Sequence, residues 1–193
     1  MELGKIGPSI ELFHEEHEIE YRDDAFSAID DEYLKVMLER EKRMEQRKTQ
    51  NGAVFPQCFR SSAIAWILKT RKKHGFRLQT VYYAVLYFDR FLAKRAIDSS
   101  KEWTGTFLAI MCFSLAAKME EIRAPLLTEY QSEKYTFCGR SMRKMELLVL
   151  TTLEWKLIHV SPFVFLPHFQ AQCGIASSRD FADRISGFIV LLI

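Results

Sequence analysis

From Pro56 to Trp155, apolar residues return every third or fourth position through a succession of segments closed by glycine, proline or polar caps. That period belongs to helices with one inward face, and nothing in the chain reads as a strand system. The first segment, about Pro56–His74, turns Ala63, Ile64, Ile67 and Leu68 inward and stops at Gly75. The second, about Gln79–Lys94, repeats Val81, Ala84, Val85, Phe88 and Leu92. Ser99-Ser100-Lys101-Glu102 reads as a capping box opening a third, which runs to about Ile122 with Leu108, Met111, Cys112, Leu115, Met119 and Ile122 on its inner side. A short fourth helix follows Pro125. The fifth, about Ser141–Trp155, contains Leu147-Leu148-Val149-Leu150 and is apolar nearly all round, which predicts a place at the centre of the bundle. The expected fold is all-α, a five-helix bundle.

The flanks read differently. Residues 1–24 carry eight acidic and two basic residues with no sustained period, and are expected to form a flexible acidic tail. Residues 25–52 hold an N-terminal helix that starts near Asp30 and Asp31, carries Tyr33, Val36, Met37 and Met44, and ends at Gly52. Its alternating charges over 39–48 indicate a solvated face rather than a basic recognition helix. Beyond the bundle, taken as 53–158, Ser161-Pro162 opens a new helix ending near Gly174, and Ser177-Ser178 caps a last one reaching Ile193. Residues 159–193 therefore read as the beginning of a new helical unit.

With 48% hydrophobic residues, the 193-residue chain has enough apolar material for one core or slightly more. No apolar run reaches the ~18 residues of a membrane span, and the start lacks the features of a signal peptide. The formal charge of +2 conceals a tail of −6 and a body of +8, a division that suits protein partners with charged faces. Cys58, Cys112, Cys138 and Cys173 are scattered, as expected of reduced thiols in cytosol or nucleus. Cys112, on an inner helix face, reads as inert. There is no Gly-rich phosphate loop, nucleophile elbow or ligand cluster, and His14-Glu15-Glu16-His17 lacks the zinc-protease spacing. No enzyme activity, metal or cofactor is expected.

Two segments stand out. Ser114-Leu115-Ala116-Ala117-Lys118-Met119-Glu120-Glu121 and Arg143-Lys144-Met145-Glu146-Leu147-Leu148-Val149-Leu150 each place one charge, Lys118 or Glu146, in a helix otherwise built for burial. Isolated charges are rarely buried without a partner. Either the two satisfy each other or together they await a partner protein.

With these segments the chain resembles a cyclin box, and it is most similar to plant D-type cyclins, over about Phe59 to Phe165. The resemblance implies that Lys118 and Glu146 bind a cyclin-dependent Ser/Thr kinase, with Glu121 beside them. Leu115, Met119, Leu150 and Leu157 would form the apolar groove for the kinase's mobile helix. It also implies a buried ion pair, Arg60 with Asp89, joining the first two bundle helices, and an incomplete second repeat over residues 159–193. Phe59, Ser62, Ala63 and Trp66 correspond to the family's substrate-docking patch. Ser62 and Ala63 replace larger aliphatic residues there, which predicts a shallow, weak patch, and Trp66 taken alone reads as core. Leu12, His14 and Glu16 resemble the motif with which D-type cyclins grip retinoblastoma-related proteins, with His14 in place of cysteine. The implied role is activation of the kinase in G1/S control, in nucleus and cytoplasm. Two other readings stand beside it. One is a cyclin-fold transcription factor contacting nucleic acid, against which the short basic runs such as Arg71-Lys72-Lys73 weigh. The other is a truncated cyclin that binds kinase without fully activating it.

Overall fold

The computed structural model describes residues 32–42, 57–98, 100–172 and 179–192, and among them there is no strand. The expected all-α fold is what the chain adopts. Among the described residues seven α-helices follow in order: α1 over 32–42, α2 Gln57–His74, α3 Leu78–Lys94, α4 Glu102–Glu120, α5 Gly139–Thr152, α6 Leu166–Gln172 and α7 Arg179–Leu191. Single 3₁₀ turns occupy Leu127–Glu129, where a short helix was expected, and Pro162–Phe165.

The centre of the bundle is α4, not α5. Every residue from Phe107 to Ala117 is buried, and so is Gly105. Helices α2, α3 and α5 all pack against it. The physical reason lies in residues 103–117, a run without a charged side chain in which Gly105, Ala109, Ala116 and Ala117 let neighbours approach from every side. In α5 only Met142 and Val149 are buried. Arg140, Arg143, Lys144 and Glu146 divide its circumference, so Leu147 remains half-exposed.

The ends of α4 also depart from expectation. It starts at Glu102 with Lys101 in the cap position and no side-chain cap. Ser100 Oγ donates to Asp98 Oδ1 at 2.5 Å and Tyr135 OH to Glu102 Oε2 at 3.1 Å, while Ser99, the other half of the expected capping box, lies outside the described residues. At its other end the chain leaves the core: Met119 is half-exposed and Ile122 is 100% exposed.

Helix α2 stops because Gly75 adopts φ +69°, a conformation that favours glycine. The backbone N–H of Phe76 then closes onto Arg71 O at 3.2 Å. After α5 the chain turns through Glu154 (φ 57°) and Trp155 (φ 58°), both left-handed. Glu154 is held there by Lys94 at 2.6 Å and Lys156 at 2.5 Å.

The strand-like connection beyond this turn is fastened by α3. Arg90 Nη1 donates to Lys156 O at 2.8 Å, Tyr87 OH to Leu157 O at 2.9 Å, and Tyr83 OH to His159 O at 3.0 Å. Those three carbonyls have no helix or sheet to bond within, so the α3 side chains satisfy them. The following unit, the Pro162–Phe165 turn with α6 and α7, rests on the same helix: α7 packs against α3, and Phe163 meets Tyr82 edge-on at 5.6 Å.

Candidate functional site

Lys118, in the last turn of α4, and Glu146, midway along α5, satisfy each other. Lys118 Nζ lies 2.5 Å from Glu146 Oε1, with the side chains 43% and 15% exposed. Neither charge is stranded in the core. The pair bridges the two helices at the rim of the bundle, where solvent reaches the ammonium.

Apolar side chains surround this pair without cover. Met119 follows Lys118, Leu147 follows Glu146, and both are about half-exposed. Leu150, one turn beyond Glu146, is partly buried. Its carbonyl accepts the N–H of Trp155 at 2.9 Å, which places the left-handed turn at the end of α5 beside this face. Trp155 is 63% and Ile158 79% exposed. Leu115 and Leu157, expected in the groove, are buried in the core beneath and support it from below.

Glu121 is committed within the chain. Its Oε1 accepts the backbone N–H of Arg77 at 2.9 Å and the hydroxyl of Thr80. The carboxylate thus satisfies donors at the start of α3, where the helix dipole favours negative charge.

Arg60 and Asp89 join α2 to α3 through two bonds, Nε to Oδ1 at 2.9 Å and Nη2 to Oδ2 at 2.8 Å. The geometry is the bidentate fork that suits a guanidinium. The hydrogen bond to Asp89 raises the Arg60 pKa above its ordinary value, against the lowering effect of burial. The pair was expected to be buried; its side chains are 30% and 39% exposed, so water shares their charge.

The four residues of the implied docking patch, at i, i+3, i+4 and i+7, lie along one stripe of α2 but differ in burial. Phe59 and Ala63, four apart, are buried, while Ser62 is exposed and Trp66 partly so. Phe59 lies over Gly105 of α4. Trp66 meets Phe113 edge-on at 5.8 Å, so it packs against the core as the bare sequence suggested.

The family model for the cyclin N-terminal domain matches residues 32–158. The chain belongs to the cyclin family. It is similar to Cyclin-D3-3 of Arabidopsis thaliana, with 33% identity over 168 residues, 85% of this chain and 46% of that protein. Cyclin-D5-1 of Oryza sativa subsp. japonica is 48% identical over 113 residues, covering 56% of this chain and 31% of the relative. Cyclin-D1-1 of the same species is 42% identical over 134 residues, covering 67% and 37%. The chain thus spans between 31% and 46% of the length of these D-type relatives.

Within this cyclin, Leu12, His14 and Glu16 lie outside the described residues. Among the described residues no His, Cys, Asp or Glu cluster could hold a metal ion, and no helix is long and apolar enough to cross a membrane. Burial pushes the Cys112 thiol well above its ordinary pKa. Reading the sequence missed Leu147 and Trp155 as surface residues. Leu147 was hidden in an apolar run, and the exposure of Trp155 follows from a left-handed turn that no local pattern announces.

Proposed function

We propose that this cyclin is the regulatory subunit of a cyclin-dependent Ser/Thr protein kinase, which it binds through the face centred on Lys118 and Glu146. One observation carries the reading: the two charges are paired at 2.5 Å, each followed in the chain by a half-exposed apolar side chain, Met119 or Leu147, with the exposed Trp155 in the turn that ends α5. A mobile kinase helix packing its apolar face on these residues would be held at its edge by charge-assisted hydrogen bonds from the pair. The gain for the kinase is an ordered helix and hence the Lys–Glu pair its phosphoryl transfer requires. The cyclin performs no chemistry; it shifts the kinase between two populations.

Activation of the kinase in G1/S control, in nucleus and cytoplasm, belongs to this proposal and rests on similarity to the D-type relatives. A retinoblastoma-related protein gripped through Leu12, His14 and Glu16 is a further partner under it.

The decisive experiment compares Lys118→Ala and Glu146→Ala with the unaltered chain in kinase pull-downs. Both variants are expected to lose binding about tenfold or more, as truncation at an interface hot spot does. Their far-UV circular dichroism should stay unchanged. Undiminished kinase binding by both would refute the proposal.

A further inference from the structure

The turn His74-Gly75-Phe76-Arg77, between α2 and α3, has a cavity on either side. The first, of about 570 Å³, lies between this turn and the second helical unit. It brings Arg71 and Arg77 together with Phe163, Leu166, Pro167 and, from α7, Asp183. The second, of about 550 Å³, shares Gly75, Phe76 and Arg77 and adds His74, Ile122 and Arg123. The two cavities share this wall and lie on opposite faces of it, and the first is the cleft between the units. Sites between helical units, with apolar walls and a few convergent polar groups, are where ligands bind.

The charge of this cleft is positive. Arg71 and Arg77 line the first cavity and Arg77 and Arg123 the second, with Lys72 and Lys73 next to Arg71 in the last turn of α2. Opposing them are Asp183 and Glu121, and Glu121 already accepts from Arg77 and Thr80. Arg71 is held in place by its Nε, which donates to Phe76 O at 2.7 Å. That bond engages one of the five donors a guanidinium carries.

We propose that this cleft binds an acidic peptide segment of a partner protein. Arg71 and Arg77 hold a side-chain oxyanion of the peptide, and Phe163, Leu166 and Pro167 receive a neighbouring apolar side chain. Guanidinium groups and an apolar wall in one cavity suit a peptide that carries an anionic and an apolar side chain as neighbours, and the positive lining selects its sign. Carboxylate and phosphate present the same recognition chemistry, so glutamate and phosphoserine are the two sources to separate. The site does not use Lys118 or Glu146 and stands independently of the kinase reading.

The test is fluorescence polarisation of the full chain with three short labelled peptides: Glu/Leu, phosphoserine/Leu and Lys/Leu. At least one acidic probe should bind, the basic one should not, and added salt should weaken the complex. Arg77→Gln, at a largely exposed side chain, should weaken the acidic probe about tenfold without unfolding. Asp183→Asn should tighten it about threefold by removing a repelling charge. The tighter acidic probe identifies the source. Failure of both acidic probes to bind, equal binding of the basic one, or indifference to Arg77→Gln would overturn the proposal. Displacement of the peptide by inorganic phosphate alone at equal concentration would overturn the peptide assignment.

Discussion

Phe59 and Gly105 are fitted to each other: a β-carbon at position 105 would lie 2.7 Å from Phe59 Cε2 and 2.9 Å from Cζ. The aromatic ring occupies the space that the missing side chain leaves on α4. Docking of α2 onto the central helix therefore depends on this one residue being glycine. Gly105→Ala is expected to destabilise the fold by about 1–3 kcal/mol, the range for forcing extra atoms into a packed core. Gly105→Ala combined with Phe59→Leu should recover part of that loss. Urea unfolding of the two single variants and the double variant measures the coupling, and strict additivity would contradict the packing described.

Arg60→Ala, or Asp89→Asn, removes one partner of the fork between α2 and α3. Because both side chains are about one-third exposed, the survivor is rehydrated, and the cost should be about 1–2 kcal/mol rather than that of a fully buried pair. High salt should shrink the difference. A chemical denaturation series at two ionic strengths checks both statements.

Truncating Lys118 should leave the fold intact. Its side chain is 43% exposed but that of Glu146 only 15%, so removing the ammonium should cost about 1–2 kcal/mol, above the figure for a fully exposed pair. A fall in the unfolding midpoint larger than that range would mean that Lys118 acts in stability and not chiefly at the surface.

Trp155 separates stability from binding in the opposite direction. It holds φ 58°, a conformation that costs a non-glycine residue about 1–2 kcal/mol, while 63% of its surface is exposed. Trp155→Gly should therefore keep or raise the thermal midpoint and yet lower kinase affinity about tenfold or more. Calorimetry beside a pull-down reads both effects, and a variant that loses neither would remove Trp155 from the binding face.

His74 lies 5.3 Å from Phe76 and 5.5 Å from Tyr130, ring centre to ring centre. Burial, and after it the charge of Lys73, lowers its pKa below the ordinary 6.5, with Glu129 pulling the other way. A folded value below the unfolded one means that the unfolded chain binds more protons between the two. This contribution is intact above the unfolded value and is lost as pH falls through it towards the folded value. His74→Phe should flatten the fall in the urea midpoint over that interval, and an unchanged slope would assign the pH dependence to other groups.

The helices were legible because their signal is local. Val81, Val85 and Phe88 at helical spacing, or Gly75 as a stop, need no knowledge of the rest of the chain. The centre of the bundle was not, because burial depends on how many neighbours a helix has. Four leucine- and valine-type residues in a row drew attention to α5, although Arg143, Lys144 and Glu146 on its other sides meant fewer neighbours. Lys118 and Glu146 were visible as a pair of charges awaiting a solution, yet spacing could not tell mutual pairing from a waiting partner. Exposed pairing leaves room for both. Glu121 was beyond reach, since its bonds run to Arg77 and Thr80 in a helix that begins more than forty residues earlier.

Tyr83, Tyr87 and Arg90 each hold a carbonyl oxygen of the connection to the second unit, and Arg90 Nη1 also lies 3.4 Å from His159 Nδ1. Every amino acid carries that oxygen, so these three bonds are themselves blind to side-chain identity, and the constraint on Leu157 comes separately from its burial in the core. What the bonds do measure is spacing, because the three α3 side chains sit at fixed intervals along a rigid rod. The joint between the two units is therefore a ruler. It tolerates conservative exchange of letters but not the insertion or removal of one, and a single-residue deletion there should reset the second unit while such exchanges leave it in place.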